Sequence, residues 1–561
     1  MKDDTRPSTP IKHLIISVSL QHQIISMPSD CISYSETNYF SKLILDYLAE
    51  KDDLKSFYNR FPKLEEFKSQ IQEKGQKFSA ENRERLVRTL RRQYEGLEVS
   101  ELTQRNIELL SNPNTFTVTT GHQLNLFTGP LYFLYKIVSA INLANELKET
   151  YSEHDFVPVY WMATEDHDFE EINYFTLHGK KFQWNPKANS KTGGAVGDLP
   201  TDGLEEVFAL FSAEIGTGKN AERLKELFEQ AYLKDHDLTK ATRYLANELF
   251  RNEGLVIVDG HDKDLKKEFV PFMEREFQEQ LSHKSTLPKA EALQQLGYKI
   301  QVNPREINLF YLAEGVRERI VEQDGGFAGA DSAKVWSKEE LLEELHSNPE
   351  RFSPNVVMRP LYQEVVLPNL CYIGGGGELA YWFELKDYFE AADVPFPILL
   401  LRNSALLQTE KQDEKRQKLN ITCRELFMKQ HELINKKVRQ ISNIDIDLSP
   451  QKLHLEQQFQ DLYKLAEKTD RSFLGAVKAQ EVKQLKGLQK LEERLLKAQK
   501  RKLEDEVKRI TQLQNQLFPN GSLQERQVNF SEFYLENGKD LLQKLKKEMR
   551  PLELKFNIFS L

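Results

Sequence analysis

The residues best suited to chemistry fall into three short groups that are far apart in the chain. The first group follows the segment TFTVTT and consists of Gly121, His122, Gln123, Thr128, Gly129 and Lys136. A loop that opens onto a helix offers free N–H groups and the positive end of the helix dipole. His122 could donate to a phosphoryl oxygen, where charge develops during phosphoryl or nucleotidyl transfer. The group predicts a phosphate or carboxylate site, and a plain strand-to-helix turn remains the alternative.

The second group is a run of ionisable residues directly after the strand-like segment FVPVYWM. It consists of Glu165, Asp166, His167 and Asp168, and Asn173 follows as a further candidate for substrate binding. Open α/β sheets bind ligands at the carboxyl ends of their strands. The run therefore predicts acid–base chemistry or the binding of an amine, and a solvated acidic loop is the alternative. A metal held by His122, Asp166 and His167 lacks a diagnostic spacing, so no metal is expected.

The third group surrounds four consecutive glycines. Its members are Arg359, Gln363, Tyr372, Gly374, Gly375, Glu378, Tyr381 and Trp382, and Arg402 follows the next apolar run. Glycine lets the backbone approach a ligand closely. Glu378 could accept hydrogen bonds from an amine or a ribose, and the two aromatic residues could stack on a base. A flexible hairpin with two core aromatic residues is the alternative, and the run is not the GxGxxG of a dinucleotide fold.

These groups need a framework of strands and helices, and the sequence pattern predicts one of the α/β class. A strand over 115–120 ends at Gly121, a helix follows over 131–148, and a second strand spans 156–162. This order is typical of parallel sheets. Further strands are predicted at 255–259, 356–358, 371–374 and 396–401, and the segment 41–111 has a helical pattern. We therefore expect a Rossmann-like parallel-sheet core over 27–403.

Two insertions interrupt the predicted core, near 176–250 and 290–350. The first contains a loop or small β element at 180–200, and the second has hairpin-like runs at YKIQV (298–302) and NLFYL (308–312). Alternating apolar residues of this kind are typical of short strands.

The remaining chain has a helical pattern and predicts a long antiparallel coiled-coil hairpin over 404–517. Its two arms are expected at 405–441 and 451–517, joined by the turn SNIDIDLSP. Leucines spaced by three and four residues form a seam, and the register slips between Leu495 and Leu503. We expect this hairpin to form a homodimer and residues 518–561 to pack back on the core.

Composition narrows the possible classes of protein. The chain has 561 residues, a net charge of -9 and an isoelectric point near 5.9, which argues against general nucleic-acid binding. Its three cysteines are scattered and suggest a reducing cytoplasm rather than disulfides or a zinc-thiolate site. No apolar run approaches a membrane span. Residues 1–26 are expected to be a disordered extension rather than a signal peptide, with Met27 as the natural start.

Five segments together resemble one family, the proposed cysteine ligases of bacillithiol biosynthesis. They are TGHQLNLFTGPLYFLYK, VPVYWMATEDHDFEEIN, MRPLYQEVVLP, YIGGGGELAYW and LFPNGSLQER. The resemblance extends over nearly the whole chain from Met27 onward. It implies a Rossmann-like core related to class I aminoacyl-tRNA synthetases, and a coiled coil that supports a dimer. The implied reaction joins cysteine to glucosaminyl-malate to complete bacillithiol.

The resemblance also implies roles for the candidate residues. Gly121, His122 and Gln123 stand where those synthetases carry an ATP motif, so ATP is the expected cofactor, although no Lys-Met-Ser-Lys-Ser loop is present. We expect a ligase that activates a carboxylate with ATP and forms an amide bond, with His122 and Lys136 at the phosphates. The expected catalytic residues are His122, Gln123, Asp166, His167 and Asp168; Arg359 and Arg402 would hold a carboxylate such as malate. A metal-dependent amidase and a nucleotide-sensing coiled-coil scaffold are the rival hypotheses.

Overall fold

The computed structural model describes residues 30–186, 192–234, 236–332 and 334–561. The strands are β1 (Asp30–Ile32), β2 (Thr115–His122), β3 (Asp155–Met162), β4 (Tyr174–Leu177), β5 (Lys180–Gln183), β6 (Val256–Asp259), β7 (Leu309–Ala313), β8 (Val316–Gln323), β9 (Gly326–Gly329), β10 (Val335–Trp336), β11 (Phe352–Pro354), β12 (Asn369–Gly374), β13 (Ile398–Leu401), β14 (Ser404–Gln408) and β15 (Phe556–Ser560). The expectations for residues 1–26 and for Met27 lie outside the described residues.

Helices make up most of the remaining described chain. They are α1 (Tyr34–Thr37), α2 (Lys42–Leu48), α3 (Glu66–Lys77), α4 (Ala80–Gln93), α5 (Glu101–Leu109), α6 (Tyr132–Thr150), α7 (Phe169–Ile172), α8 (Leu204–Ile215), α9 (Lys219–Tyr232), α10 (Leu238–Leu249), α11 (Lys263–Glu279), α12 (Leu281–Gln295), α13 (Lys338–Ser347), α14 (Arg359–Val366), α15 (Gly376–Trp382), α16 (Lys386–Ala391), α17 (Glu410–Lys418), α18 (Gln430–Ile441), α19 (Ser449–Ala466), α20 (Arg471–Lys502), α21 (Glu504–Leu517), α22 (Ser531–Asn537) and α23 (Asp540–Glu548). Within the described residues, no helix is both long and apolar enough to cross a membrane.

The core is a five-stranded parallel sheet with the order β13-β12-β2-β3-β6. Strand β2 is rich in β-branched residues and is buried along its whole length, as the centre of a parallel sheet requires. Along the chain, β3 and β6 follow β2 on one side, whereas β12 and β13 lie on the other. The strand order therefore reverses between β2 and β12. In open α/β sheets, ligands bind in the crevice at the carboxyl ends of the strands at such a point.

The predicted strand–helix–strand unit is present as β2, α6 and β3, and the predicted fold class is confirmed. Three details differ. Gly121 does not end β2, because Gly121 and His122 still pair with Trp161 and Met162 of β3. The predicted strand at 356–358 is a turn leading into α14, and the real strand β11 lies just before it. The predicted strand at 298–302 is irregular chain.

Both predicted insertions carry secondary structure of their own. The first contains the β4–β5 hairpin and the helices α8, α9 and α10. The second contributes an antiparallel sheet with the order β10-β9-β8-β7-β11, in which β11 pairs with β7. This second sheet, termed the inserted sheet below, lies between α12 and α14 along the chain. Its strands β7 and β8 reach the ligand crevice.

The coiled coil differs from the predicted hairpin in the place of its turn. Helices α19 and α20 pack side by side, with Tyr463 donating to Glu481 at 2.7 Å and Lys452 paired with Glu492 at 2.7 Å. The earlier residue of one helix meets the later residue of the other, so the two helices are antiparallel. Their turn lies at 467–470, whereas the segment SNIDIDLSP only separates α18 from α19. The predicted register slip coincides with the break at Leu503, between α20 and α21.

The end of the chain returns to the core through a small three-stranded sheet. Strand β15 pairs in parallel with β14 and antiparallel with β1. The segment Ser404–Gln408, predicted as the start of the helical hairpin, is therefore a strand. This arrangement brings residues from 524 onward next to the carboxyl edge of the parallel sheet.

Candidate active site

A cavity of about 710 Å³ opens at the carboxyl edge of the parallel sheet. All three sequence groups contribute to its lining, although the third lies far from the first two in the chain. The predicted residues that line it are Gly121, His122, Gln123, Lys136, Glu165, Asp166, His167, Asp168, Arg359, Tyr372, Gly375, Glu378, Tyr381 and Arg402. The cavity lies where β2, β3 and β12 end, and its size is typical of a small-molecule site.

The other predicted site residues lie outside the cavity lining. They are Thr128, Gly129, Asn173, Gln363, Gly374 and Trp382. Trp382 is fully buried and stacks on Tyr372 at a centroid distance of 4.4 Å, so it supports the cavity from behind. Gly129 has a φ of +62°, and a Cβ there would lie 2.6 Å from the Cβ of Asn125. These residues shape the loops that carry the site.

Lys136 lines the cavity and is engaged in contacts within the protein. Its ammonium pairs with Glu378 at 2.7 Å and donates to the carbonyl of Gly121 at 2.6 Å. Glu378 also accepts from the hydroxyl of Tyr372 at 2.9 Å and from the N–H of Gly375 at 2.8 Å. Burial lowers the pKa of Lys136, and the charge of Glu378 opposes that shift. The ion pair fixes Lys136 beside the end of β2, and its expected role at a phosphate stays a prediction.

Arg402 is also paired within the protein. Its guanidinium contacts Glu525 at 2.7 Å and donates to Ser404 at 3.1 Å. Both members of this ion pair are buried. Burial lowers the pKa of Arg402, and the carboxylate of Glu525 outweighs that effect and raises it. Glu525 already balances the charge of Arg402, so the expected role of Arg402 in binding a substrate carboxylate stays a prediction.

Arg359 differs from Lys136 and Arg402. It begins α14 and donates to Gln363 at 3.1 Å and to the hydroxyl of Tyr381 at 3.4 Å. Its guanidinium lies 5.8 Å from the ring centroid of Tyr372. Among the described residues, no carboxylate oxygen lies within 4 Å of it. Its charge is therefore available to an anion that enters the cavity.

His122 is a buried, neutral imidazole at the end of β2. Burial lowers its pKa well below the usual range, and the nearby charge of Lys136 adds to the shift. Its ring packs against Tyr132 at 5.3 Å and Phe133 at 5.1 Å between centroids. Its Nε2 is buried and has no partner among the described residues. A buried polar atom without a partner is costly, so this nitrogen is suited to a hydrogen bond with a ligand.

Glu165 anchors the acidic run to α11 and to β11 of the inserted sheet. Its carboxylate contacts Lys266 at 2.6 Å and the Nδ1 of His261 at 3.0 Å, and it accepts from Ser353 at 3.0 Å. Burial would raise the pKa of Glu165, but the charge of Lys266 and the contact with His261 outweigh it and lower the pKa to about 2. Glu165 is therefore a fixed anion that joins the loop after β3 to α11 and β11.

Asp166 and His167 are held by residues from two different parts of the chain. Asp166 accepts from the side chain of Gln123 and from the N–H of His167, each at 2.8 Å. Arg317, on β8, lies 2.9 Å from the Nδ1 of His167. Because arginine can only donate, this contact uses the Nδ1 of His167 as the acceptor. Asp166 is thus oriented toward the cavity as a charged acceptor.

The ligand atoms of Asp166, His167 and Asp168 lie within 4.8 Å of one another. Oxygen and nitrogen donors this close together could hold a cation. His122, the third ligand considered from the sequence, is not part of this set. Exposed acidic loops often have such a geometry without a metal, so the set by itself does not define a metal centre.

The sequence groups missed several cationic residues of the cavity. The inserted sheet contributes Arg317 and Arg319, the chain before it contributes Arg305, and Arg526 comes from the C-terminal segment. Arg317 and Arg319 stand two residues apart in the run VRERIV, where alternation puts both on one face of the strand. This alternation was the feature of the sequence from which a cationic strand face could have been predicted. Arg526 lies in the segment LFPNGSLQER, and the residue spacing of that segment did not indicate that it lines the cavity.

The sequence of this chain is similar to two domain families and to full-length proteins of other bacteria. The family described as "Bacillithiol biosynthesis BshC, N-terminal Rossmann-like domain" matches residues 27–403, and "Bacillithiol biosynthesis BshC, C-terminal coiled-coil domain" matches 405–561. A protein of Christiangramia forsetii named "Putative cysteine ligase BshC" is 63% identical over 95% of this chain and 99% of its own length. One of the same name from Flavobacterium johnsoniae is 57% identical over 95% of this chain and 100% of its own length.

A solved structure was also matched, with weak similarity. It is described as a "putative arginyl t-RNA synthetase" from Campylobacter jejuni, and the match covers 80% of this chain and 98% of that chain at 11% identity. Its TM-score of 0.19 is too low to indicate a shared fold. The matches to the two domain families and the identity to full-length relatives are sufficient on their own: the chain belongs to the BshC family of bacillithiol biosynthesis.

Proposed function

We propose that this protein is a cysteine ligase that joins cysteine to glucosaminyl-malate through an amide bond and so forms bacillithiol. The family membership and the names of the full-length relatives support this reaction. The observation that carries the proposal is the cavity at the reversal point of the sheet, which collects the motif residues of three distant segments. Its lining offers both anionic and cationic groups, as a substrate with an amine and carboxylates requires.

The proposed reaction needs an activated carboxylate, and ATP is the proposed source of activation. The residues present fit an anionic nucleotide: Arg359 and Arg526 line the cavity without a carboxylate within 4 Å among the described residues, and the buried Nε2 of His122 has no partner there. ATP, when bound, would supply the leaving group that makes the carboxyl carbon of cysteine reactive. The neutral ring of His122 would donate from Nε2 to an oxygen that gains negative charge.

Amide formation also requires a proton acceptor for the attacking amine. The nitrogen of the glucosamine forms the new C–N bond as the leaving group departs from the carboxyl carbon, and the nitrogen loses a proton. Asp166 is the proposed acceptor, because Gln123 and the backbone of His167 fix its carboxylate at the cavity surface. His167 would accept or relay hydrogen bonds beside it, with Arg317 holding its ring. Asp168 would add negative charge that favours a cationic amine.

We further propose that the protein is a homodimer through its coiled coil. Several large apolar side chains on α19 and α20 remain 40% or more exposed in the single chain: Leu453, Leu462, Leu465, Phe473, Val482 and Leu491. A row of exposed apolar residues on a long helical hairpin favours a helical partner. A cytoplasmic location is proposed as well, since Cys31, Cys371 and Cys423 are all free thiols.

The proposed function can be tested in a bacillithiol-producing bacterium that lacks its own member of this family. The strain would carry either the full chain or an empty vector, and its low-molecular-weight thiols would be measured by mass spectrometry. We expect bacillithiol to return with the full chain and glucosaminyl-malate to accumulate without it. Normal expression of the chain with no bacillithiol would overturn the proposal.

A further inference from the structure

Arg317 is a cation of the inserted sheet whose charge is not balanced by a direct ion pair. Its guanidinium lies 4.0 Å from the ring centroid of Phe310, 2.9 Å from the Nδ1 of His167 and 3.4 Å from the hydroxyl of Ser353. Burial lowers its pKa, so it is substantially removed from water. Among the described residues, no carboxylate oxygen lies within 4 Å of it.

Three fully buried cations near the cavity do have such partners. Lys136 pairs with Glu378 at 2.7 Å, Lys266 with Glu165 at 2.6 Å and Arg402 with Glu525 at 2.7 Å. A charge taken out of water without a partner is costly. The stacking on Phe310 and the contact with His167 hold the guanidinium in one orientation, whereas the carboxylates of Glu165, Asp166 and Asp168 act on it only from beyond ion-pair distance. This arrangement indicates that an anion from outside the protein completes the site.

A second arginine stands beside Arg317 on the same strand. Arg319 also lines the cavity, and it projects from the same face of β8 because the two residues are two positions apart. Two strand residues with this spacing are separated by about 6.6 Å along the strand. Each guanidinium can bind one carboxylate through two parallel hydrogen bonds. A small molecule with two carboxylates on adjacent carbons suits such a pair better than a single carboxylate does.

The charge on the neighbouring loop is of the opposite sign. Asp166 and Asp168 line the same cavity next to His167 and lie beyond ion-pair distance from Arg317 among the described contacts. Glucosaminyl-malate carries two carboxylates at one end and an amine at the other. The arginine pair and the adjacent aspartates therefore match the charge pattern of this acceptor from end to end.

We propose that Arg317 and Arg319 bind the two malate carboxylates of the acceptor and so select glucosaminyl-malate over glucosamine derivatives without malate. This inference rests on the proposed ligase function and adds the residues that recognise one substrate. It differs from the expectation that Arg359 and Arg402 hold the malate. In this assignment Arg359, next to Tyr372 and Tyr381, remains for the activating nucleotide.

The test is steady-state kinetics of the full-length protein with two acceptors, glucosaminyl-malate and methyl glucosaminide, which lacks the malate. The variants are Arg317→Gln, Arg317→Lys and Arg319→Gln. For Arg317→Gln we expect KM for glucosaminyl-malate to rise about 10- to 100-fold, the range for losing a hydrogen bond to a charged group. KM for cysteine and for ATP should not change, and the ratio of kcat/KM for glucosaminyl-malate to kcat/KM for methyl glucosaminide should fall by a similar factor. Arg319→Gln should show the same pattern with a smaller shift.

Arg351→Gln is the matched control. Arg351 lies just before β11, is half exposed, and is already paired with Glu344 at 2.8 Å, so its removal should leave every KM unchanged. Arg317→Lys keeps the charge but loses the flat guanidinium, and an intermediate KM is expected. If the melting curve shows that Arg317→Gln does not fold, Arg317→Lys and Arg319→Gln test whether the arginine pair binds the malate. Arg319 is the more exposed of the two arginines, so its substitution is less disruptive.

Three results would overturn the inference. An unchanged preference for glucosaminyl-malate in folded variants at both positions would remove the arginine pair from acceptor binding. A raised KM for ATP with a normal KM for glucosaminyl-malate would assign the pair to the nucleotide. If the wild-type protein forms no product from glucosaminyl-malate, the proposed function itself fails, and that outcome is distinct from the first two.

Discussion

The carboxyl edge of the parallel sheet and the inserted sheet both contribute cations to the cavity, but their charges are balanced differently. At the sheet edge, Lys136 contacts the partly exposed Glu378 and Arg402 contacts the buried Glu525, each at 2.7 Å. On the inserted sheet, Arg317 has no carboxylate within 4 Å among the described residues. Paired cations hold the loops of the site together, whereas unpaired cations are available to substrate. An arginine or lysine that lines a site therefore indicates an anionic ligand only when no carboxylate of the protein is paired with it.

The largest expected effect comes from breaking a paired cation. Lys136→Met leaves the partly exposed Glu378 without its partner; loss of one member of a fully buried pair costs about 3–5 kcal/mol, and we expect a loss near the lower end of that range. Arg317→Met leaves no stranded carboxylate, so we expect a loss below about 1 kcal/mol. Urea denaturation of both variants measures the difference. Equal losses in the two variants would contradict the comparison, and Glu378→Leu added to Lys136→Met should recover much of the stability.

The next effect concerns catalysis at the sheet edge. His122→Ala removes the proposed donor to the developing charge, and loss of one such donor lowers kcat by about 10²- to 10³-fold. His122→Asn keeps an N–H donor and should retain more activity. Because burial holds the pKa of His122 well below its usual range, its titration should not affect the rate near neutral pH. A wild-type kcat in a folded His122→Ala variant would exclude this role.

Asp166→Asn should have an effect of similar kind and slightly smaller size. The change keeps the size of the side chain but removes the proposed proton acceptor, which typically contributes about 100-fold or more to the rate. Stability should change by less than about 0.5 kcal/mol, as for a solvated loop residue. Glu171→Gln is the matched control, since Glu171 receives a hydrogen bond from the same Gln123 but does not line the cavity. Normal bacillithiol production by Asp166→Asn would remove this loop from the mechanism.

A pH titration tests the anchor of the acidic loop. The folded pKa of Glu165 is about 2, below its ordinary value of 4.5, so its pairs add stability that is fully present above pH 4.5. That stability is lost as the pH falls from 4.5 toward 2, because the unfolded chain then binds the proton more readily. The difference in unfolding free energy between the wild type and Glu165→Gln should shrink below pH 4.5. It should also shrink as the pH rises through the folded pKa of His261, which burial lowers but the contact with Glu165 raises overall. A constant difference down to pH 3 would show that the carboxylate is not stabilised in this way.

The smallest effect on catalysis is expected from the coiled coil, which lies away from the cavity. Leu465→Glu together with Leu491→Lys places charge on side chains that are each 54% exposed in the single chain. If these side chains meet a second copy, the double variant should shift from dimer to monomer in light scattering, with its melting temperature and cavity chemistry retained. A wild-type protein that is already monomeric at micromolar concentration would refute the homodimer.

The sequence predicted the fold best where a whole element is uniformly buried. Strands β2 and β3 were placed within a few residues because β-branched and aromatic residues run through each. The three-residue run at 356–358 gave a false strand, since a short apolar run also fits a turn whose side chains are buried. The turn of the coiled coil was misplaced because SNIDIDLSP has stronger turn residues than 467–470. Which helix packs on which depends on contacts that local turn signals do not contain.

The sequence indicated which residues lie near the cavity, but it did not indicate which of them form ion pairs with each other. Residues at the carboxyl ends of β2, β3 and β12 were recognised as candidates, because ligands bind at that edge of open sheets. The partners of Lys136 and Arg402 are Glu378 and Glu525, which are distant in sequence, so their ion pairs could not be inferred from local spacing. Arg317 was missed for the same reason, since only the fold brings the inserted sheet next to His167.

The most direct test of the account is the reaction of the purified full-length protein with cysteine, glucosaminyl-malate and ATP. Mass spectrometry would follow the amide product, and nucleotide analysis would follow the consumption of ATP. We expect bacillithiol to form in proportion to the ATP consumed and only when all three substrates are present. We also expect the His122→Ala variant to form little or no product. A folded wild-type protein that forms no amide product, or an equal rate in the His122→Ala variant, would contradict it.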